Sequence, residues 1–215
     1  MKILLPIILI VVLGCVSAQA QRRGGGRGVN QGERGAAREF QNVRGEFDAW
    51  RLATLEADLF KMPAGDAGGG EQNFYAFLHS AVKEERLSDE NFGKLGQDYI
   101  KLVLIAQKEG KAKVETDLVK LRERVKELAD GQLNPAIATL DLNQKQVQAQ
   151  EYLWFGILSN KISSGKRSTL ERKQKALMDI EKKAKADEKM EEREREKLNE
   201  SASKLVQELM EELSR

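Results

Sequence analysis

Cysteine and histidine are nearly absent from this sequence, which holds one of each, Cys15 and His79. A lone thiol excludes an intramolecular disulfide, and a lone imidazole excludes histidine clusters, Ser-His-carboxylate triads and the usual zinc ligand sets. His79 falls in a predicted helix, where we expect a partly exposed or hydrogen-bonded side chain. We therefore expect a protein that is not an enzyme and that holds no cofactor and no metal.

No excess of one charge marks the 215 residues, because 36 Lys+Arg oppose 34 Asp+Glu for a net charge of +2. This balance argues against nucleic acid as a dedicated partner. Acidic residues are dispersed among lysines and arginines, as on solvated helical faces, so we do not expect a small-molecule substrate. Aromatic residues make up only 6% and charged residues 33% of the chain. Such a composition favours elongated helices with thin cores.

The N-terminus has the features of a secretory leader. A positive start at Lys2 precedes an apolar run over residues 3–13, and Ala18 and Ala20 place small residues where a signal peptidase reads them. The run is shorter than the roughly 20 residues of a spanning helix. We expect residues 1–20 to be removed and the mature chain, beginning at Gln21, to be exported to the periplasm or the extracellular space.

The same N-terminal segment allows a second route of export. Residues 12–15, VLGC, resemble the lipobox of bacterial lipoproteins, in which the cysteine becomes the lipidated first residue. Leu13 replaces the smaller residue that is usual there, and Val12 replaces the commoner leucine. This alternative removes residues 1–14 and anchors the protein in the envelope membrane through lipid on Cys15.

Glycine and arginine dominate residues 21–35, which contain six glycines, four arginines and one apolar residue, Val29. So little apolar surface predicts a disordered, mildly basic tether. An RGG-type RNA-binding segment is the alternative, although it lacks the interleaved aromatic residues. Contact between the arginines and anionic lipid or cell-wall polymer is a further one.

Apolar spacing predicts an all-α protein of elongated helical hairpins with coiled-coil segments. In the first half, helices are expected over residues 36–61, over 71–85, and from an N-cap at Ser88 to about Ala106, with a glycine-rich loop at 62–70. Residues 114–128 then repeat apolar side chains at steps of four and three, the spacing of a coiled-coil seam. The seam consists of Val114, Leu118, Leu121, Val125 and Leu128.

The second half is expected to hold two long helices. One begins at Asn134-Pro135 and reaches about Ile162, followed by a turn over 163–167. A capping box at residues 168–171, STLE, then opens a charged helix to Leu213, some 65 to 70 Å long. Its apolar stripe includes Leu198, Leu205 and Leu209. We expect this stripe and the 114–128 seam to mediate self-association or contact with a protein partner.

The chain also aligns with itself. Residues 71–78 match residues 151–158 at an offset of 80, with aromatic pairs in equivalent positions, and the same offset pairs Ser88 with Ser168. We interpret this as an internal duplication. The first repeat is expected to span residues 36–131 and the second, ending in the long charged helix, residues 132–215.

Two short segments are similar to the LTxxQ motif of small helical periplasmic chaperones. Residues 142–146, LNQKQ, carry Asn143 for the threonine, and residues 87–91, LSDEN, carry Ser88 for it and Asn91 for the glutamine. The resemblance implies a chaperone-like or stress-responsive binder. The rest of the sequence favours a non-catalytic exported scaffold, adaptor or spacer, and the tether allows a binder of anionic polymer or membrane surfaces.

Overall fold

A computed structural model describes residues 31–63, 71–129, 137–186 and 188–215. The expected processing residues Cys15, Ala18, Ala20 and Gln21, and the expected helix start at Asn134-Pro135, lie outside these ranges. The described chain is predominantly helical, which confirms the predicted all-α class. No described helix is both long enough and apolar enough to cross a membrane.

Most of the described elements are helices, and two short paired strands lie near the start. In chain order they are α1 (Gln31–Thr54), β1 (Lys61–Pro63), β2 (Glu71–Asn73), α2 (Phe74–Lys83), α3 (Asp89–Glu109), a 3-10 turn (Lys111–Lys113), α4 (Glu115–Leu128), α5 (Leu140–Leu158), α6 (Ser164–Ala184) and α7 (Glu192–Leu213). The two strands pair antiparallel, with Met62 opposite Gln72.

The predicted N-cap of α3 is confirmed. Ser88 is the N-cap, and its side chain accepts a hydrogen bond from the backbone N–H of Asn91, which satisfies one of the free donors of the first turn. Gly110 ends the helix at φ 93°, a backbone conformation that other residues adopt only with strain.

The predicted single helix from Ser168 to Leu213 is wrong. Helix α6 begins at Ser164 with Ser163 as its cap, and it ends at Ala184; α7 begins at Glu192 with a capping box between Glu191 and Glu194. Helix α7 then packs its apolar stripe against α5 and α6. The charged segment between the two helices has little apolar surface to bury. A chain that turns back there buries the apolar stripe of α7, whereas one continuous helix would leave that stripe exposed.

The helix expected to run to about Ile162 also differs in its limits. Helix α5 starts at Leu140 and ends at Leu158, and the three residues from Ile137 that precede it are not helical. The predicted turn around Gly165 is wrong, since Gly165 lies within α6. The turn falls earlier, where Asn160 takes φ 57°.

Helix α5 lies at the centre of the fold and is buried on most of its sides. On one side it contacts the apolar cluster formed by α2, α3 and α4; on the other it joins clusters shared with α1, α6 and α7. Gly96 of α3 lets the backbone approach the Trp154 ring so closely that an added methyl group would collide with it. The groove and the smaller pocket described below both have a wall on α5.

Candidate functional site

A groove of about 830 Å³ lies between the N-terminal half of α3, α5 and α6. Its apolar lining comes from Leu87, Leu153 and Met178, and amide groups come from three glutamines, Gln97, Gln150 and Gln174. Acidic and lysine side chains, together with Ser88, Gly93 and Asn143, form the rest of its walls. We call it the α3–α6 groove. Its volume falls in the range of clefts that bind ligands.

Beside the groove, α6 contacts α5 through polar side chains as well as apolar ones. The Gln174 Nε2 donates to Gln150 Oε1 at 2.9 Å, and the buried Glu181 accepts from Gln146 Nε2 at 3.0 Å. Such amide and carboxylate contacts do not interdigitate as apolar side chains do. On the other wall Gly93 lets α3 approach Gln150, since an added Cβ would lie 3.3 Å from the Gln150 Oε1.

Glu85 organises one end of the groove. It adopts φ 54°, an uncommon conformation for a residue with a side chain. Its carboxylate accepts from the Thr139 backbone N–H at 2.5 Å, from the Thr139 hydroxyl at 2.9 Å and from Asn143 Nδ2 at 3.1 Å. Thr139 makes no side-chain cap for α5. Glu85 therefore supplies the acceptor that this helix N-terminus needs, and the strained turn holds it there.

Two carboxylates and one ammonium group meet at this end, and a third carboxylate lines the groove near them. Lys185 Nζ lies 3.2 Å from Glu85 Oε1 and 2.8 Å from Glu181 Oε1. Asp89 is the third carboxylate, and burial, followed by the charge of Glu181, raises its pKa well above the ordinary value, while Lys185 opposes this. No residue in the described ranges makes a hydrogen bond or ion pair with the Asp89 side chain.

The structure brings the two LTxxQ-like segments together at the groove. Leu87, Ser88, Asp89 and Glu90 of the first segment line the groove, and so does Asn143 of the second, while Leu142 is buried in the core. The sequence indicated each segment separately, but it could not predict that both would line the same groove. Their convergence makes this groove the candidate functional site.

A second polar centre was missed by sequence reasoning. The buried Glu151 of α5 accepts hydrogen bonds from the Tyr75 hydroxyl and from His79 Nε2, the latter at 2.7 Å. A pocket of about 250 Å³ opens beside it, with Arg44 and Arg51 among its lining residues. The signal was available, because Glu151 begins the otherwise apolar and aromatic run EYLWFG. The expected hydrogen-bonded, partly exposed His79 is what the structure contains.

All eight predicted contact residues pack inside the chain's own core. Four residues of the 114–128 seam are buried in the α2–α3–α4 cluster and Leu128 packs against it; Leu205 and Leu209 lie in the α1–α5–α7 cluster and Leu198 in a third one. The buried four are Val114, Leu118, Leu121 and Val125. Self-association through these side chains stays a prediction, and it requires helices to separate from the fold.

Within the parts of the chain that the structure describes, no group of three histidine, cysteine, aspartate or glutamate side chains is placed to hold a metal ion. The chain matches no protein-family model, no curated protein and no solved structure. Its own geometry therefore carries the functional argument.

Proposed function

We propose that this is an exported, non-catalytic protein that holds segments of other polypeptides in the α3–α6 groove, as a chaperone-like binder. The observation that carries this is that residues of both LTxxQ-like segments, 87–91 and 142–146, line one groove. In support, the groove combines apolar surface with amide groups and charges of both signs. Its lining also includes Met178, whose unbranched side chain adapts to partners of varied sequence.

Met178 offers a way to test the groove. It is a half-buried lining residue of α6, so Met178→Glu puts a charge into the groove at small cost to folding. Ile180, two residues further on, is 55% exposed and does not line the groove, so Ile180→Glu is the matched control. The readout is the ability of the mature chain to suppress aggregation of an unfolded client.

We expect the unaltered chain and Ile180→Glu to suppress aggregation equally, and Met178→Glu to lose the effect. No suppression by the unaltered chain at molar excess removes the chaperone-like proposal. Equal suppression by all three proteins would mean that the client binds another surface.

Mass spectrometry of the natural N-terminus separates export as a free chain beginning at Gln21 from lipid anchoring at Cys15.

A scaffold, adaptor or spacer role is the second candidate. The 114–128 seam on α4 and the stripe on α7, both spaced as in coiled coils, favour it. We propose that these helices also contact a second copy or a protein partner when the hairpins open. Light scattering that shows a dimer at working concentration supports this role, and a strict monomer contradicts it.

We further propose that the chain arose by internal duplication of a three-helix unit, within residues 36–131 and 132–215. Each half has a buried aromatic pair, then a serine that caps a helix, then a second helix. The pairs are Phe74-Tyr75 and Trp154-Phe155, and the caps are Ser88 and Ser163. The spacing from pair to cap is five residues shorter in the second half, which moves the equivalent cap from Ser168 to Ser163. Superposable backbones of the two units in an experimental structure would test the duplication.

A further inference from the structure

We infer that the occupant of the α3–α6 groove is an extended, basic segment of another polypeptide, which places a lysine or arginine side chain beside Asp89. This inference rests on the proposed function, and it adds the chemistry of the client. Four features of the groove lead to it: its amide groups, its apolar lining, the balance of its charges and the Asp89 carboxylate at one end.

The glutamine amides suit a main chain in extended form. Gln150 Oε1 is already used by Gln174, which leaves the Gln150 NH₂ group and the Gln174 oxygen for other partners. Gln97 adds an exposed amide on α3. An extended segment presents free N–H and C=O groups in alternation, and carboxamides satisfy both kinds whatever the side chains are.

The apolar lining suits the stems of long side chains. Leu153 and Met178 face the groove from α5 and α6, and Leu87 lies at its Asp89 end. A lysine or arginine can lay its methylene groups along such surface and keep its charged head at a polar end. The unbranched Met178 side chain adapts its shape to different stems.

The charges of the lining favour a basic partner. Six acidic residues and four lysines line the groove, a balance of −2. The acidic residues are Glu85, Asp89, Glu90, Glu171, Asp179 and Glu181, and the lysines are Lys94, Lys175, Lys182 and Lys185.

The end at Asp89 is where a cation fits. Lys185 is shared between Glu85 and Glu181, so its ammonium group already has two carboxylate partners. The Asp89 carboxylate faces the same groove with no hydrogen bond or ion pair to any described residue. A cation from the client completes this cluster with a charge-assisted hydrogen bond.

Binding of short, unstructured, fluorescently labelled peptides to the mature chain tests the inference. One peptide alternates leucine, serine and lysine, and its partner carries glutamate for each lysine. We expect the lysine peptide to bind about tenfold or more tightly than the glutamate peptide. Asp89→Asn should weaken the lysine peptide about fivefold to tenfold and leave the glutamate peptide unchanged or slightly tighter. Asp117→Asn removes an exposed carboxylate on α4 outside the groove and should change neither affinity.

The outcomes separate this inference from the proposed function. Equal binding of both peptides, or equal affinities for Asp89→Asn and Asp117→Asn, overturns the inference, while suppression of client aggregation would leave the proposed function intact. Displacement of the lysine peptide by free spermidine as readily as by unlabelled peptide also overturns it, because the groove would then bind cations without reading a polypeptide. Failure of the unaltered chain in both assays removes the inference and the proposed function together.

Discussion

The Tyr75 hydroxyl donates a hydrogen bond to the Glu151 carboxylate, so that α2 is fixed to the middle of α5 across 76 positions of the chain. Glu151 is 4% exposed, and a carboxylate at that depth is tolerated only when its oxygen atoms are hydrogen-bonded or paired. His79 supplies the second partner from the next turn of α2. The pair therefore selects one docking of α2 on α5, and α2 leads directly into the turn that carries Glu85.

Removal of the tyrosine hydroxyl should destabilise the fold. Tyr75→Phe keeps the ring in its packed position and leaves the Glu151 charge with His79 as its remaining partner. Loss of a buried hydrogen bond to a charged group costs roughly 1 to 3 kcal/mol. Urea denaturation should show this loss in the free energy of unfolding, and a double-mutant cycle with His79→Gln should show coupling, since both donors share one carboxylate. Full additivity would mean that the two contacts are independent.

High pH should unfold the protein through its buried tyrosines. Burial raises the pKa of Tyr99 to about 12 from 10.0, and burial together with Glu151 raises the pKa of Tyr75. A raised pKa in the folded state adds stability that is complete below pH 10 and is lost as pH rises through about 12. Tyrosinate absorbance should therefore rise together with the loss of helical circular dichroism. In Tyr99→Phe the pH dependence in this window should become shallower, and an unchanged slope would contradict the assignment.

Much of the helical pattern could be predicted from the sequence, but the path of the second half could not. Ser88 is a local signal whose effect depends on the backbone beside it, and it predicted the start of α3 correctly. The end of α6 depends on tertiary packing, because Leu205 and Leu209 are buried against α5 only if the chain turns back after α6. The local sequence at the end of α6 does not carry that information. The LTxxQ-like segments could suggest a site from the sequence. Glu85, which organises that site, could not be predicted because it lies outside both segments.

Replacement by alanine should change the stability of the protein in opposite directions at two helical glycines, Gly96 and Gly45. In Gly96→Ala the new methyl group meets the Trp154 ring, and relief of the overlap should cost about 1 to 3 kcal/mol of stability. Gly45 of α1 has no atom within 4 Å of an added Cβ, so Gly45→Ala should raise stability by up to about 1 kcal/mol through helix propensity. Thermal melts of the two variants measure both signs. A neutral Gly96→Ala would mean that α3 and α5 are further apart than described.

Asp89 should reduce the stability of the protein at neutral pH. Its pKa is raised by burial and by the charges of Glu181 and Glu85, so the folded state resists its ionisation. Asp89→Asn should therefore raise the free energy of unfolding at pH 7 by less than about 1 kcal/mol, since the loss of a favourable charge in the first turn of α3 offsets part of the gain. The gain should fade as pH falls toward 3.8, where the carboxyl group is protonated in both states. Denaturation at several pH values measures this, and a destabilised variant at pH 7 would contradict a raised pKa.

The reversal between α6 and α7 can be tested by cross-linking, because it places Lys173 Nζ 2.5 Å from Glu208 Oε2 although 35 positions separate them. In one continuous helix a rise of about 1.5 Å per residue would put the two residues about 50 Å apart. A carbodiimide joins an amine directly to a carboxylate, so digestion and mass spectrometry of the monomer band should reveal an amide between these side chains. Lys204 and Glu200 lie one turn apart on α7 and should cross-link in either arrangement, which makes them the internal control. A strong Lys204–Glu200 product without any Lys173–Glu208 product in the monomer would contradict the hairpin, and with it the α6 wall of the groove.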